Sequence, residues 1–355
     1  MQKLMIKTFI VISWIVVIFG LLLTPKWKAL QPNDAKTLNI FTWGDYFDPK
    51  VLEQFEKDHG VKIQLHYYSS NEELILKLKA HKGQGYDLVV PSDYAVQILI
   101  KENLLQPLDY SRITFLDQIS PALLHHPFDP HNRYSLPNMF EVYGIGFDPD
   151  QIDPSRVQPT FGHVFDPSMI DYAFAMTPDP VEAVTFAACY LYGKVDRLDS
   201  TQTARIRQLL IDQKPLVEAY ADYRSKYLLQ TKNCALSILR ASFLLHIARE
   251  NPQMSFMLPK EATVVSIESV AIPIGCEKTD LVYSFLNYLY QDEVMASQVA
   301  ICPLFPATSS ACAFLHEPDL YFSIYNQVMK KPNFYFFRHL IPEETAREIW
   351  VEVKN

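Results

Sequence analysis

The sequence predicts an α/β protein with an open, parallel-type sheet, folded into two lobes. Three observations carry this. Strand and helix signals alternate at short intervals from Leu38 onward. The 355-residue chain, 49% hydrophobic and 13% aromatic, is long enough to bury two cores. Extended, glycine-bearing segments then lead from one alternating block into a second.

The elements follow in order. LNIFTW reads as a strand. Asp48 and Pro49 supply an N-cap and a first-turn proline, Val51, Leu52 and Phe55 form an apolar stripe, and Gly60 is placed to end the helix. VKIQLHY alternates Val61, Ile63, Leu65 and Tyr67 against polar residues, the period of a strand, with Tyr67 read as core. Ser70 and Glu73 stand at capping-box spacing before a second helix that gives out ahead of GQG. YDLVVP is a continuous apolar strand stopped by Pro91, and SDYAVQILIKENLL is a third helix. Three strands alternating with three helices argue for a parallel sheet.

YSLPNMFEVYGIGFDP, residues 134–149, has the character of strands crossing between lobes, with Gly144 and Gly146 permitting close backbone approach. Beyond it, YAFAM, CALSILRAS and IESVAIPIG read as strands, TPDPVEAVTFAACYLYG as a helix ending at Gly193, and DLVYSFLNYLYQDEVMASQVA as one helix with an apolar face. The first lobe is expected over 37–142, completed by about 267–312. The second is expected over 147–265, completed by about 315–355.

Residues 1–30 stand apart. Lys3 and Lys7 precede the charge-free run FIVISWIVVIFGLLL, a basic region and a long hydrophobic region that read as a signal peptide or an uncleaved signal anchor. Export is the common implication. Removing the first 24 residues removes two lysines and no acids, taking the formal net charge from −8 to −10, which disfavours nucleic acid as a partner. The five cysteines include no C-x-x-C; Cys302 and Cys312 are the easiest pair to close, and buried small hydrophobes are the simpler reading for most.

In open α/β sheets, ligands sit beyond the carboxyl ends of the strands. The first strand ends in Trp43-Gly44-Asp45-Tyr46 and the third in Ser92-Asp93-Tyr94, so each delivers an Asp-Tyr pair to that edge. Carboxylates beside aromatic faces suit an organic cation, since a cation over Trp or Tyr gains about 0.5 to 2 kcal/mol. Further along, Asp179 and Glu182 begin a helix, where capping alone explains them, and Glu268 lies near a strand end. A phosphate loop, G-x-S-x-G, H-E-x-x-H, paired-cysteine zinc spacing and G-x-G-x-x-G are all absent, so no catalytic residue, metal site or cofactor is expected.

The stretch FTWGDYFDPKVLEQFEKDHGVKIQLHYYSSNEELILKLKAHKGQGYDLVVPSDYAV resembles the spermidine/putrescine-binding proteins of bacterial ABC polyamine importers, and PFDPHNRYSLP and GIGFDPDQIDP continue the likeness. The resemblance implies a two-lobed periplasmic-binding fold of type II, closing on its ligand about a hinge. It implies a periplasmic, monomeric protein, membrane-tethered where residues 1–30 stay attached, that captures a polyamine and presents it to an inner-membrane ABC permease. The resemblance implies Trp43, Asp45, Tyr46, Ser92, Tyr94, Asp179, Glu182 and Glu268 as ligand-binding residues, and the Asp-Tyr pair at the third strand's end adds Asp93 to the set. Of these, Asp93 adds an acid where the family usually has a neutral residue, and Glu268 replaces a family aspartate.

The opposite wall departs from the pattern. Leu239 and Ser266 stand where the family has tryptophans, Cys302 where it has a tyrosine, roughly Tyr335 where it has a glutamine, and Arg240 brings a positive charge close by. Alternatives therefore stand beside the polyamine: an amino acid or iron as cargo on the same fold, or an enzyme or sensor built on the same lobes.

Overall fold

The computed structural model describes Trp14 and residues 36–355 apart from 249, 303, 316, 317, 331 and 332. The signal or anchor read in residues 1–30 lies, Trp14 aside, outside the described residues.

Strand β1 (Thr37–Trp43) runs parallel between β2 (Lys62–Tyr68) and β3 (Leu88–Val89). Then come β4 (Ser135–Phe147), β5 (Phe174–Met176), β6 (Val217–Tyr220), β7 (Leu236–Arg240), β8 (Ser255–Met257), β9 (Thr263–Ala271), β10 (Phe305–Pro306) and β11 (Phe334–Phe336). The sheet order is β2-β1-β3-β9-β4-β7-β5-β6, with β8 and β10 pairing β4 and β11 pairing β9. The expected parallel sheet is thus a mixed one. β1, β2 and β3 are parallel, as are β5, β6 and β7, but β9 and β4 join these blocks in antiparallel register.

That junction makes the two lobes. Leu136, Met139, Phe140 and Val142 of β4 and Val265, Ile267 and Val270 of β9 belong to one hydrophobic cluster. Tyr143, Ile145, Phe147, Ala262 and Val264 belong to another. The same two strands therefore serve both cores, changing allegiance midway. Gly144 sits just past the change, where a Cβ would stand 2.6 Å from the Met257 carbonyl oxygen of β8, so glycine is required for β8 to lie this close.

The first lobe's helices form as their caps dictate. Asp48 accepts from the Lys50 N–H at 2.9 Å, and Gly60, at φ 64°, ends Pro49–His59 in the left-handed conformation. Three expectations change. DLVYSFLNYLYQDEVMASQVA forms two helices, Thr279–Leu289 and Asp292–Ile301. Tyr290 is fully buried, stacked on Phe115 at 3.8 Å with its hydroxyl donating to the Pro137 carbonyl at 2.6 Å, and Gln291 is extended. Tyr67 is 55% exposed rather than core: β2 is an edge strand, and at its end Tyr68, not Tyr67, is the buried residue. All five cysteines are free thiols, so Cys302 and Cys312 do not pair; four are buried.

Candidate functional site

Directly opposed residues of antiparallel strands share a face, and alternate residues repeat it. Along β4 and β9 the opposed pairs are Met139 with Glu268, Glu141 with Ser266 and Tyr143 with Val264, and Tyr143 also opposes Arg240 of β7. Glu268, Ser266, Glu141, Tyr143 and Arg240 thus form one polar row leading from the first lobe into the second. The carboxyl ends of β1 and β3 meet this row at Glu268.

Glu268 is the centre of the first-lobe end. Its carboxylate accepts from the Trp43 Nε1–H at 2.8 Å, from the Ser92 hydroxyl at 2.8 and 3.0 Å, and from the Ser266 hydroxyl at 3.4 Å. Ser92 is itself held by Asn71, whose amide donates to the hydroxyl at 3.1 Å and accepts from the Ser92 N–H at 3.3 Å. The Trp43 ring rests on Tyr68 with centroids 4.5 Å apart. Burial raises the Glu268 pKa against the opposing pull of Ser92, Trp43 and Ser266. The result is a carboxylate fixed in direction by neutral donors, on which the Arg240 charge also acts.

Other predicted residues are placed variously. Asp45 is exposed, at φ 54°, in the turn that follows β1. Burial, and then the charges of Glu268, Glu141 and Asp45, push the Cys302 thiol up to about 12. Tyr94 is partly exposed and donates to Glu72 at 2.7 Å. Tyr46 lies in the first-lobe core, 2% exposed, donating to Asn138 at 2.7 Å. Asp93 is buried with its carboxylate accepting from the Tyr94 N–H at 2.7 Å and the Ile267 N–H at 2.9 Å, so both oxygens serve the backbone. Burial lifts its pKa to about 7.

At the second-lobe end, Asp179 is exposed and accepts from the Val181 and Glu182 N–H groups at 2.7 and 3.0 Å, capping Pro180–Tyr192. Glu182, half-buried, accepts from Thr177 at 2.6 Å and from the Tyr143 hydroxyl at 3.1 Å. Burial raises its pKa, which the Thr177 hydrogen bond and the Arg240 charge oppose. A narrow pocket here is lined by Tyr143, Glu182, Asp222, Leu239 and Arg240 among others. Phe337 meets Tyr143 edge-on at 4.8 Å, giving this end aromatic surface despite Leu239 and Ser266. Tyr335 is buried with its hydroxyl turned to the Val195 carbonyl.

Glu141, Tyr143, Asn71 and Asp222 are absent from the sequence-based set. Glu141 had a legible signal, a lone acid in the otherwise apolar run NMFEVYGIGF. It is buried, accepts from the Val142 N–H at 3.0 Å, the Ser242 N–H at 3.3 Å and the Ser242 hydroxyl, and titrates at about 7. Among the described residues, no group of three or more His, Cys, Asp and Glu side chains is placed to hold a metal ion.

The chain, a mixed sheet crossing between two lobes, belongs to the bacterial extracellular solute-binding protein family, whose model matches residues 84–327. A second model, a hypothetical lipoprotein family, matches residues 11–122. Among individual proteins, the putrescine-binding periplasmic protein SpuD of Pseudomonas aeruginosa is 30% identical over 353 residues, covering 92% of this chain and 94% of its own. The spermidine/putrescine-binding periplasmic protein of Escherichia coli is 29% identical over 296 residues, covering 82% and 83%. The crystal structure of the spermidine/putrescine ABC transporter substrate-binding protein PotD from Streptococcus pneumoniae superposes with a TM-score of 0.76 at 22% identity, covering 90% of this chain and 98% of that one.

Proposed function

We propose that this chain is the capture subunit of an ABC importer and that its cleft takes an aliphatic polyamine, putrescine or spermidine, for delivery to an inner-membrane permease. The observation that carries the reading is Glu268. A half-buried carboxylate oriented by an indole N–H and a serine hydroxyl has lost much of its water, and an arriving ammonium restores what burial removed. The relatives named for putrescine or spermidine support the same cargo class.

Trp43 and Tyr94 would pack the methylenes, Asp45 would add negative charge at the lip, and Ser92 would orient Glu268. Tyr46 and Asp93 act as scaffold, since their polar atoms are spent on Asn138 and on backbone N–H groups. Asp179 and Glu182 belong to the second-lobe wall. The protein acts by binding, with no covalent step assigned to it, in the periplasm as a monomer, tethered where its N-terminal segment is retained.

Isothermal titration with putrescine, spermidine and spermine tests the reading. Saturable heat with at least one is the expected result, and no heat with any of the three overturns it.

A further inference from the structure

The acids at the second-lobe end of the cleft already hold a cation. Arg240 closes β7, and its guanidinium lies 3.6 Å from the Asp222 carboxylate and 3.9 Å from that of Glu182. The rings of Tyr143 and Phe243 each lie 5.6 Å from it. Two carboxylates from separate elements and two aromatic faces are the set an alkylammonium needs, and here the chain's own side chain fills it.

Both distances exceed ordinary hydrogen-bond length, and the Arg240 Nε–H has no hydrogen-bond partner, so charge rather than directed bonds places this group. A guanidinium does not deprotonate in proteins, so the positive charge persists at any working pH. The Arg240 charge also acts on Glu268, at the other end of the row. The hydrogen bonds that Glu268 accepts come from the neutral groups of Trp43, Ser92 and Ser266.

We propose that Arg240 is a specificity-determining residue whose guanidinium stands in for the ligand's second ammonium, so that the cleft grips one cationic end at Glu268 while Glu182 and Asp222 at the other end are already paired with Arg240. The inference rests on the amine-binding reading above and narrows it. Butylamine and putrescine differ by the distal ammonium, so they are the discriminating pair.

The experiment is calorimetric titration of the full chain with butylamine, putrescine and 4-aminobutyrate, repeated on Arg240→Gln and Arg240→Lys. In the unaltered protein the two amines are expected to bind within about threefold of each other. Arg240→Gln is expected to tighten putrescine by at least about tenfold relative to butylamine, and Arg240→Lys to keep the original ratio. Putrescine binding more than about tenfold tighter than butylamine in the unaltered protein overturns the proposal and leaves the polyamine reading standing, and this comparison decides even where a variant fails to fold. Preference for 4-aminobutyrate that disappears in Arg240→Gln also overturns it, by making Arg240 a receptor for the ligand's carboxylate. No heat from either amine with any of the proteins overturns both the proposal and the cargo assignment.

Discussion

Glu268 of β9 and Glu141 of β4 illustrate two uses of an acid on one sheet face. Glu268 is the proposed ligand carboxylate, and replacing it by glutamine removes the charge while keeping acceptors for Trp43 and Ser92. Glu268→Gln is expected to weaken polyamine binding by about 10- to 100-fold, the range of a hydrogen bond to a charged group, read by calorimetry. Because burial raises its pKa, affinity should fall as pH drops through that raised value, and the glutamine variant should lack this dependence.

Glu141 acts on stability instead. Burial, opposed by the Ser242 hydroxyl and the Arg240 charge, lifts its pKa from 4.5 to about 7. The unfolded chain releases this proton near 4.5 while the folded chain keeps it up to about 7, so the contribution is fully present below 4.5 and is lost as pH rises through about 7. A glutamine there can turn its oxygen to the Val142 and Ser242 N–H groups and its amide to the Ser242 hydroxyl. Glu141→Gln should therefore gain roughly 3 kcal/mol relative to the unaltered protein between pH 4 and pH 8, measured by urea unfolding at both pH values.

At the scale of elements, local rules foresaw those whose ends are set by neighbours in sequence. Asp48, Pro49 and Gly60 bound the first helix as capping chemistry requires, and Asp179 caps the helix beginning at Pro180. Elements decided by distant contacts were not legible. The break at Tyr290 comes from Phe115 and Pro137, more than a hundred residues away, although the acids of Gln-Asp-Glu at 291–293 mark a helix start. Antiparallel β9 between β3 and β4 was hidden for the same reason, since periodicity carries no partner information. Gly144→Ala would push a Cβ to 2.6 Å from a backbone oxygen that cannot swing aside. A loss of about 1 to 3 kcal/mol is expected, read as a lower urea midpoint with unchanged slope.

For the whole molecule, ligand capture should add stability by mass action. Putrescine at a hundred times its dissociation constant should add about 2.7 kcal/mol and raise the melting temperature, with the shift reduced for Glu268→Gln at the same concentration. A thermal melt at several amine concentrations checks it.

The sequence by itself determined the α/β alternation, the helix caps, the edge of the sheet where Trp43 and Ser92 lie, and Glu268 as an acid of interest. These follow from short-range periodicity, turn chemistry and the resemblance of the first block. Only the tertiary structure decided how these acids divide their work. Asp93 turns its carboxylate to the backbone, Tyr46 enters the core, Glu141 joins the cleft row, and Arg240 occupies the position between Glu182 and Asp222. The reason is physical: a side chain's partners are fixed by strand register and burial, and in this chain those are set by β4 and β9, whose pairing joins residues more than a hundred positions apart.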